Sequence, residues 1–155
     1  MLLYPSLIER LKNQQEAISE LITISHPRLY VHPLPGKWSI HDNIAHIARY
    51  QEFFMERINI ILENDTPVFE RYKAEDDPFF EGWQERSTGD LIKILNTDRQ
   101  KLFALIINIP PQKLSRTGIH QKFGELTIIL WVEFFLLHEA HHLFTIFRLA
   151  TDVDL

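Results

Sequence analysis

The chain has 155 residues, of which 45% are hydrophobic and 24% charged, and this suits one globular domain spanning residues 1–155. It contains no cysteine, which excludes disulfides, thiolate metal sites and cysteine nucleophiles. The formal net charge of −5 and the scattered basic residues disfavour a nucleic-acid partner. Since no stretch resembles a signal peptide or a membrane span, we expect a cytoplasmic protein without a membrane partner.

Two helices are expected in the first part of the chain, where apolar residues recur at three- and four-residue intervals. The first runs from about Tyr4 to Ile24. The second is expected to begin near Ser39, whose hydroxyl can cap the first turn together with Asp42. Its apolar stripe continues to about Leu62. A polar, aromatic-rich segment follows at residues 63–86, and a loop of this length is expected to be functional or partly helical.

Two further helices complete the pattern. The third opens with a capping sequence at residues 87–90 and runs to about Ile109, before two prolines. The fourth runs from about Thr127 to Leu149 and is apolar on nearly every face in its first half, so we expect it to be the most buried helix. No segment has a convincing strand pattern. The sequence therefore predicts an all-α, four-helix bundle.

The histidines of the second and fourth helices are the candidate functional residues. His138 and His142 lie four residues apart and point the same way, so both can offer a ring nitrogen to one ion. His141 faces about 100° away from His142. Burying imidazoles in so apolar a helix costs free energy unless they find partners, and His46, in an apolar stretch of the second helix, is the candidate third ligand. Two interpretations remain open: a metal site, or core histidines hydrogen-bonded to acidic side chains.

Other polar residues have less definite roles. His41 is expected to be solvated near its helix start, and His26 and His32 are assigned no role. His120 either lines the mouth of a site or lies in a surface loop, and the surface loop is favoured. Ligating histidines usually donate their second N–H to an outer hydrogen-bond partner. Three residues are candidates for that outer layer: Asp42, Glu139 and His141.

Two blocks of sequence carry a family resemblance. The first is Lys-Trp-Ser-Ile at 37–40, followed by Ala-His-Ile at 45–47. The second is Phe-Gly-Glu-Leu-Thr at 123–127, followed by Trp131 and by His-Glu-Ala-His-His at 138–142. Together they resemble the second and last helices of the DinB-like superfamily of metalloenzymes, in the same order and with similar separation. The resemblance extends over about residues 7–149.

The resemblance implies a four-helix bundle, frequent homodimerisation, and a divalent metal bound by His46, His138 and His142. Family members include thiol S-transferases and a thiol-dependent isomerase, which implies a low-molecular-weight thiol as a cosubstrate. One departure from the family pattern is Thr145, because many relatives have Gln three residues beyond the last ligand. This difference leaves the substrate undefined.

Three neutral imidazoles would leave the charge of the ion uncompensated and a fourth position open. Zinc or nickel suits such a site best, although iron and manganese also accept imidazole. Three functions are compatible with it: a thiol-dependent S-transferase acting on small electrophiles, a metal-dependent hydrolase, and a non-catalytic metal-binding bundle. We expect the open position to face a cavity for a small-molecule substrate. Its expected walls are Trp38, Phe79, Phe80, Trp83, His120 and Trp131. The alternative is that these rings are core and loop anchors, and for Trp131 this alternative is favoured.

Overall fold

A computed structural model describes residues 2–151, most of which are helical. The first helix of the bundle consists of α1 (Pro5–Asn13), a 3₁₀ turn (Gln14–Glu16) and α2 (Ala17–Leu21). The other long helices are α3 (Ile40–Glu63), α5 (Thr88–Ile107) and α6 (Ile128–Thr151), and the short α4 (Phe80–Gln84) lies before α5. The predicted four-helix bundle is confirmed. The ends of the predicted domain, residue 1 and residues 152–155, lie outside the described residues.

Capping interactions fix where the two middle helices begin. The Ser39 hydroxyl accepts a hydrogen bond from the backbone N–H of Asp42 at 3.1 Å, and the Asp42 carboxylate accepts one from the Ser39 N–H at 2.9 Å. At the start of α5, the Ser87 hydroxyl accepts from the backbone N–H of Asp90 at 3.1 Å. Both predicted caps are therefore confirmed, since each satisfies backbone donors that the first helical turn leaves free.

The most buried helix is α3, which packs between α5 and α6, so the expectation for the fourth helix is wrong. Every residue from 40 to 51 is buried. By contrast, α6 exposes Leu130, Leu137 and Phe144, the second of them by 63%. Their seven-residue spacing places them in one outward stripe, which overall hydrophobicity did not reveal. The expected homodimer and the expected lack of a nucleic-acid partner stay predictions.

A small sheet of three strands is present among residues 2–151, so the expectation of no strand is wrong. In it β1 (Val68–Phe69) pairs in parallel with β2 (Thr117–His120), which pairs antiparallel with β3 (Gly124–Thr127). Such short strands provide too few alternations to be recognised from sequence. The sheet packs closely on α3, because a Cβ on Gly118 would lie 2.9 Å from the Phe69 ring and 3.0 Å from Ile61.

The long connection between α3 and α5 is partly helical, as predicted, and one carboxylate holds it against α3. The Asp77 carboxylate accepts hydrogen bonds from Arg49 Nε at 2.6 Å, from the Tyr72 hydroxyl at 2.8 Å and from the Phe79 backbone N–H at 3.0 Å. This arrangement places Tyr72 beside the histidines. Across residues 2–151, no helix combines the length and apolarity needed to cross a membrane.

Candidate metal centre

Three histidines from two helices meet at one point inside the bundle. His46 comes from α3, and His138 and His142 come from α6, which packs against it. One ring nitrogen from each lies within 4.8 Å of the others, and the Nε2 atoms of His46 and His138 are 3.1 Å apart. Nitrogen ligands at about 2.0–2.1 Å from a tetrahedral ion would be separated by about 3.4 Å. The structure thus brings together the three residues that the sequence selected, at a spacing that suits an ion.

All three rings are in the neutral form that a metal requires. Burial lowers the pKa of His46 to about 3, and repulsion from His138 adds to the effect. Burial likewise lowers the pKa of His138 to about 4 and that of His142 to about 2, with neighbouring histidines contributing in both cases. Neutral imidazoles have a free lone pair for a cation, so the donor set fits a divalent ion.

Asn43 fixes which nitrogen of His142 faces the site. The Asn43 side-chain amide nitrogen donates to the Ser39 carbonyl at 2.8 Å, which leaves its Oδ1 as the acceptor for His142 Nδ1, also at 2.8 Å. His142 therefore carries its proton on Nδ1 and presents the Nε2 lone pair. This is the outer hydrogen bond expected of a ligating histidine. Sequence reasoning missed Asn43, although it lies one turn before His46.

The predicted outer partners do not contact the ligand nitrogens within the described part of the chain. Asp42 is engaged by the cap at Ser39 and by the Gln84 side chain at 2.8 Å. Glu139 is buried and forms an ion pair with Arg99. His141 is exposed, and only its ring edge meets His142. Asp42 and Glu139, two of the three candidates, therefore each have a structural partner of their own.

Aromatic rings surround His46, and its outward nitrogen has no hydrogen bond with a described residue. Its Nδ1 is buried and has no hydrogen-bond partner among residues 2–151. The ring centroids of Trp38 and Tyr72 lie 4.8 and 5.7 Å from that of His46, and Tyr50 lies 4.1 Å from His138. These contacts restrict the imidazoles to orientations in which their nitrogens converge.

The triad lies between two cavities. An enclosed one of about 220 Å³ is lined by His46 and His138, with Tyr50 and Tyr72 in its wall. A more open cleft of about 620 Å³ lies beside His142. A ligand could therefore approach the three ring nitrogens from either side of the bundle.

Sequence comparison identifies the family. The sequence profile of the DinB superfamily matches residues 10–146. The chain belongs to the DinB superfamily. OB0413 of Oceanobacillus iheyensis, named as a candidate metal-dependent hydrolase, is 25% identical over 113 residues, covering 70% of this chain but only 62% of OB0413. The uncharacterised YuaE of Bacillus subtilis is 26% identical over 149 residues, covering 83% of this chain and 86% of YuaE.

A solved structure supports the same fold. YfiT of Bacillus subtilis, described as a candidate metal-dependent hydrolase with an unusual four-helix bundle topology, superposes with a TM-score of 0.77. The match covers 95% of this chain and 85% of YfiT at 17% identity. At this level of identity the likeness establishes the bundle architecture of this DinB-superfamily chain and not its chemistry.

The expected aromatic cavity does not exist as a single space. His120 borders the enclosed cavity, whereas Trp38 borders the cleft on the other side. Trp131 lies in the core, with its indole N–H donating to the Gly118 carbonyl at 3.3 Å. Phe80 and Trp83 are also buried core residues, and Phe79 is 64% exposed. The prediction of one aromatic-walled cavity is therefore wrong, because the sequence could not divide these residues between the core and the two sides of the bundle.

Two other histidines are more buried than the sequence suggested. His120 is only 3% exposed, so its assignment to a surface loop was wrong. It ends β2, and the sheet carries it to the cavity. His41 is 4% exposed rather than solvated: its Nε2 donates to the Gln84 carbonyl at 2.8 Å, so its Nδ1 accepts from the Thr88 hydroxyl at 2.7 Å. His41 thus joins α3 to α4 and α5.

Proposed function

We propose that this chain is a metal-dependent hydrolase that holds one divalent ion with His46, His138 and His142. The observation that supports this most directly is the convergence of three neutral ring nitrogens without a fourth ligand. Among residues 2–151, no other His, Asp or Glu joins the group. Structural zinc sites normally have four protein ligands, whereas catalytic sites have three and an open position. The open position is therefore available to water or to a substrate.

A divalent ion held by His46, His138 and His142 would supply Lewis acidity, the chemistry that lowers the pKa of bound water and polarises a carbonyl or phosphoryl oxygen. Zinc and nickel are the proposed metals, and iron and manganese also accept imidazole ligands. The names given to OB0413 and YfiT point to the same class of activity, and we extend it to this chain as a proposal.

The Tyr50 hydroxyl is the proposed hydrogen-bond donor of the substrate site. Burial raises the pKa of its hydroxyl to about 12, so it remains protonated at neutral pH. The side chain lines the enclosed cavity beside His138, and the structure gives its hydroxyl no hydrogen-bond acceptor within residues 2–151. A fixed donor of this kind stabilises an oxygen that gains negative charge during acyl or phosphoryl transfer.

The thiol-dependent S-transferase implied by the family resemblance stays a prediction. The cleft beside His142 has the volume of an ordinary small-molecule site, so it has room for a low-molecular-weight thiol. A transferase would use the same histidines but would require the thiol as a second substrate. The two functions therefore differ in whether water or a thiol is the nucleophile.

The test combines metal analysis with two assays. Purified protein is expected to contain about one zinc, nickel, iron or manganese ion per chain by elemental analysis. Chelation should abolish hydrolysis of neutral aryl esters, and reloading with each metal in turn should restore it and identify the active ion. A parallel assay supplies a low-molecular-weight thiol and a small electrophile. Activity only in the presence of the thiol would replace the hydrolase with the transferase, and chelation-resistant hydrolysis would reject both.

A further inference from the structure

The enclosed cavity beside His46 and His138 is lined by hydrogen-bond donors and cations. Among the described residues, its wall contains no Asp or Glu. Three basic side chains reach it from separate parts of the fold: Arg57 from α3, Arg71 from the segment after β1, and Lys122 from the turn between β2 and β3. Three positive charges around one small space repel each other, and an anion between them would offset that repulsion.

Arg57 is the most unusual of the three. It is only 4% exposed, and none of the carboxylates in residues 2–151 forms an ion pair with it. Its Nη2 donates to the Glu70 carbonyl, but its Nε is buried without a partner. A buried cation normally has an anionic partner, because removing a charge from water is costly. The rings of Phe53 and Phe69 lie against the guanidinium but do not neutralise it.

The two other cations are exposed side chains at the rim of the cavity, and neither forms an ion pair with a described residue. Their field reaches into the cavity. Burial lowers the pKa of His120, and repulsion from Arg57, Arg71 and Lys122 lowers it further. All three cations and His120 line the same cavity, so their charges act on one space.

His120 contributes a neutral donor with a fixed orientation. Its Nδ1 accepts hydrogen bonds from the backbone N–H groups of Lys122 at 3.0 Å and Phe123 at 3.2 Å. The ring proton is therefore on Nε2, for which the structure gives no acceptor within residues 2–151. The His120 Nε2–H and the Tyr50 hydroxyl together give the cavity a lining that can donate hydrogen bonds to several oxygens of one anion. The same lining offers few hydrogen-bond acceptors.

We infer that the enclosed cavity binds an anionic group of the substrate, a carboxylate or a phosphate, between Arg57, Arg71 and Lys122. His120 Nε2 and the rim cations position that group, and the reacting bond lies toward His46 and His138. The inference rests on the proposed function for the identity of the reaction, but the anion site itself does not require hydrolysis. A volume of about 220 Å³ restricts the bound part of the substrate to a small acid group.

The test measures binding of acetate and of inorganic phosphate by isothermal titration calorimetry, on zinc-loaded protein at low ionic strength. Lys122→Gln and Arg71→Gln are expected to weaken binding about threefold each, and the double variant about tenfold. Arg57→Gln should have a larger effect, but it alters a buried position. The inference is therefore tested on the exposed residues Arg71 and Lys122. Lys113→Gln, which removes an exposed lysine outside the cavity, should leave both affinities unchanged.

Tighter binding of phosphate would assign a phosphate-bearing substrate, and tighter binding of acetate a carboxylate-bearing one. Equal affinities in the parent and the double variant would overturn the inference. It would also be overturned if Lys37→Gln, in the wall of the other cleft, abolished binding while the double variant did not. In that case the anion site would lie beside His142.

A second measurement separates this inference from the proposed function. Two aryl esters with the same leaving group, one neutral and one bearing a carboxylate, are compared by kcat/KM. Only the acidic ester should lose kcat/KM in the double variant. If neither ester is hydrolysed but the calorimetric effect persists, the anion site stands and the hydrolase fails. If both are hydrolysed equally by parent and double variant, the hydrolase stands and the anion site fails.

Discussion

Asn43 on α3 determines the tautomer of His142 on α6. Oδ1 of Asn43 lies 2.8 Å from Nδ1 of His142, and the amide nitrogen of Asn43 is already committed to the Ser39 carbonyl. The chain of contacts begins at the helix cap, because Ser39 also starts α3. The capping of one helix therefore orients a histidine on another.

Asn43→Ala removes the acceptor that fixes His142. Loss of such an outer hydrogen bond typically lowers metal affinity about 10- to 100-fold, and we expect a change of that size. The affinity is measured by zinc competition with a chromophoric chelator. Asn43→Asp is the matched control, since it still offers an oxygen to Nδ1, and it should bind zinc more tightly than the alanine variant. Parental affinity in Asn43→Ala would show that the contact has no effect on the metal.

The three histidines can be tested against their exposed neighbour. His46→Ala, His138→Ala and His142→Ala should each lower the metal content sharply, because two imidazoles alone hold a divalent ion weakly. His141→Ala is the control in the same helix, since this side chain is exposed and should matter less. Elemental analysis after gel filtration gives the metal-to-protein ratio. Parental ratios in all four variants would refute the ligand assignment.

The sequence predicted that His138 and His142 share a face because of helical periodicity, and it selected His46 from its apolar surroundings and the family resemblance. It could not distinguish Asn43 from Asp42 as the outer partner. These residues are adjacent and point about 100° apart, and the choice between them depends on how α3 is rotated against α6. His120 was harder still. Its position depends on short strands, and β1 pairs with β2 across about fifty positions of sequence, which leaves no local pattern.

Tyr50→Phe removes only the hydroxyl from the wall of the enclosed cavity. If Tyr50 stabilises charge on the reacting oxygen, kcat should fall about 100- to 1,000-fold while zinc content and the thermal midpoint stay near parental values. Tyr30→Phe is the control, because that side chain is 60% exposed. Steady-state kinetics of the zinc-loaded proteins supply the comparison. Unchanged kcat in Tyr50→Phe would remove the hydroxyl from the mechanism.

Glu139 should affect stability and not metal binding. Its carboxylate is 1% exposed and paired with Arg99, which is equally buried, so Glu139→Gln leaves an uncompensated guanidinium in the core. We expect the free energy of unfolding in urea to fall by about 3–5 kcal/mol. Glu133→Gln breaks the more exposed pair with Arg10 and should cost less than about 1 kcal/mol. A drop in metal content without loss of stability would show that Glu139 supports a metal-ligating histidine instead.

Asp77 should make the stability of the fold depend on acid pH. Burial raises the pKa of Asp77, but hydrogen bonds from Arg49, Phe79 and Tyr72 outweigh it and hold the pKa below its ordinary value of 3.8. The unfolded chain therefore binds the proton more readily, so the stabilisation is present above about pH 3.8 and is lost as the pH falls further.

Asp77→Asn should lower the free energy of unfolding at neutral pH by about 1–3 kcal/mol, because charge-assisted hydrogen bonds are lost. The difference from the parent, measured by urea titration at several pH values, should shrink in acid, whereas the exposed control Asp76→Asn should show little difference at any pH. If the difference in free energy of unfolding between parent and Asp77→Asn stayed constant in acid, the charge of Asp77 would not be the source of its stabilising effect.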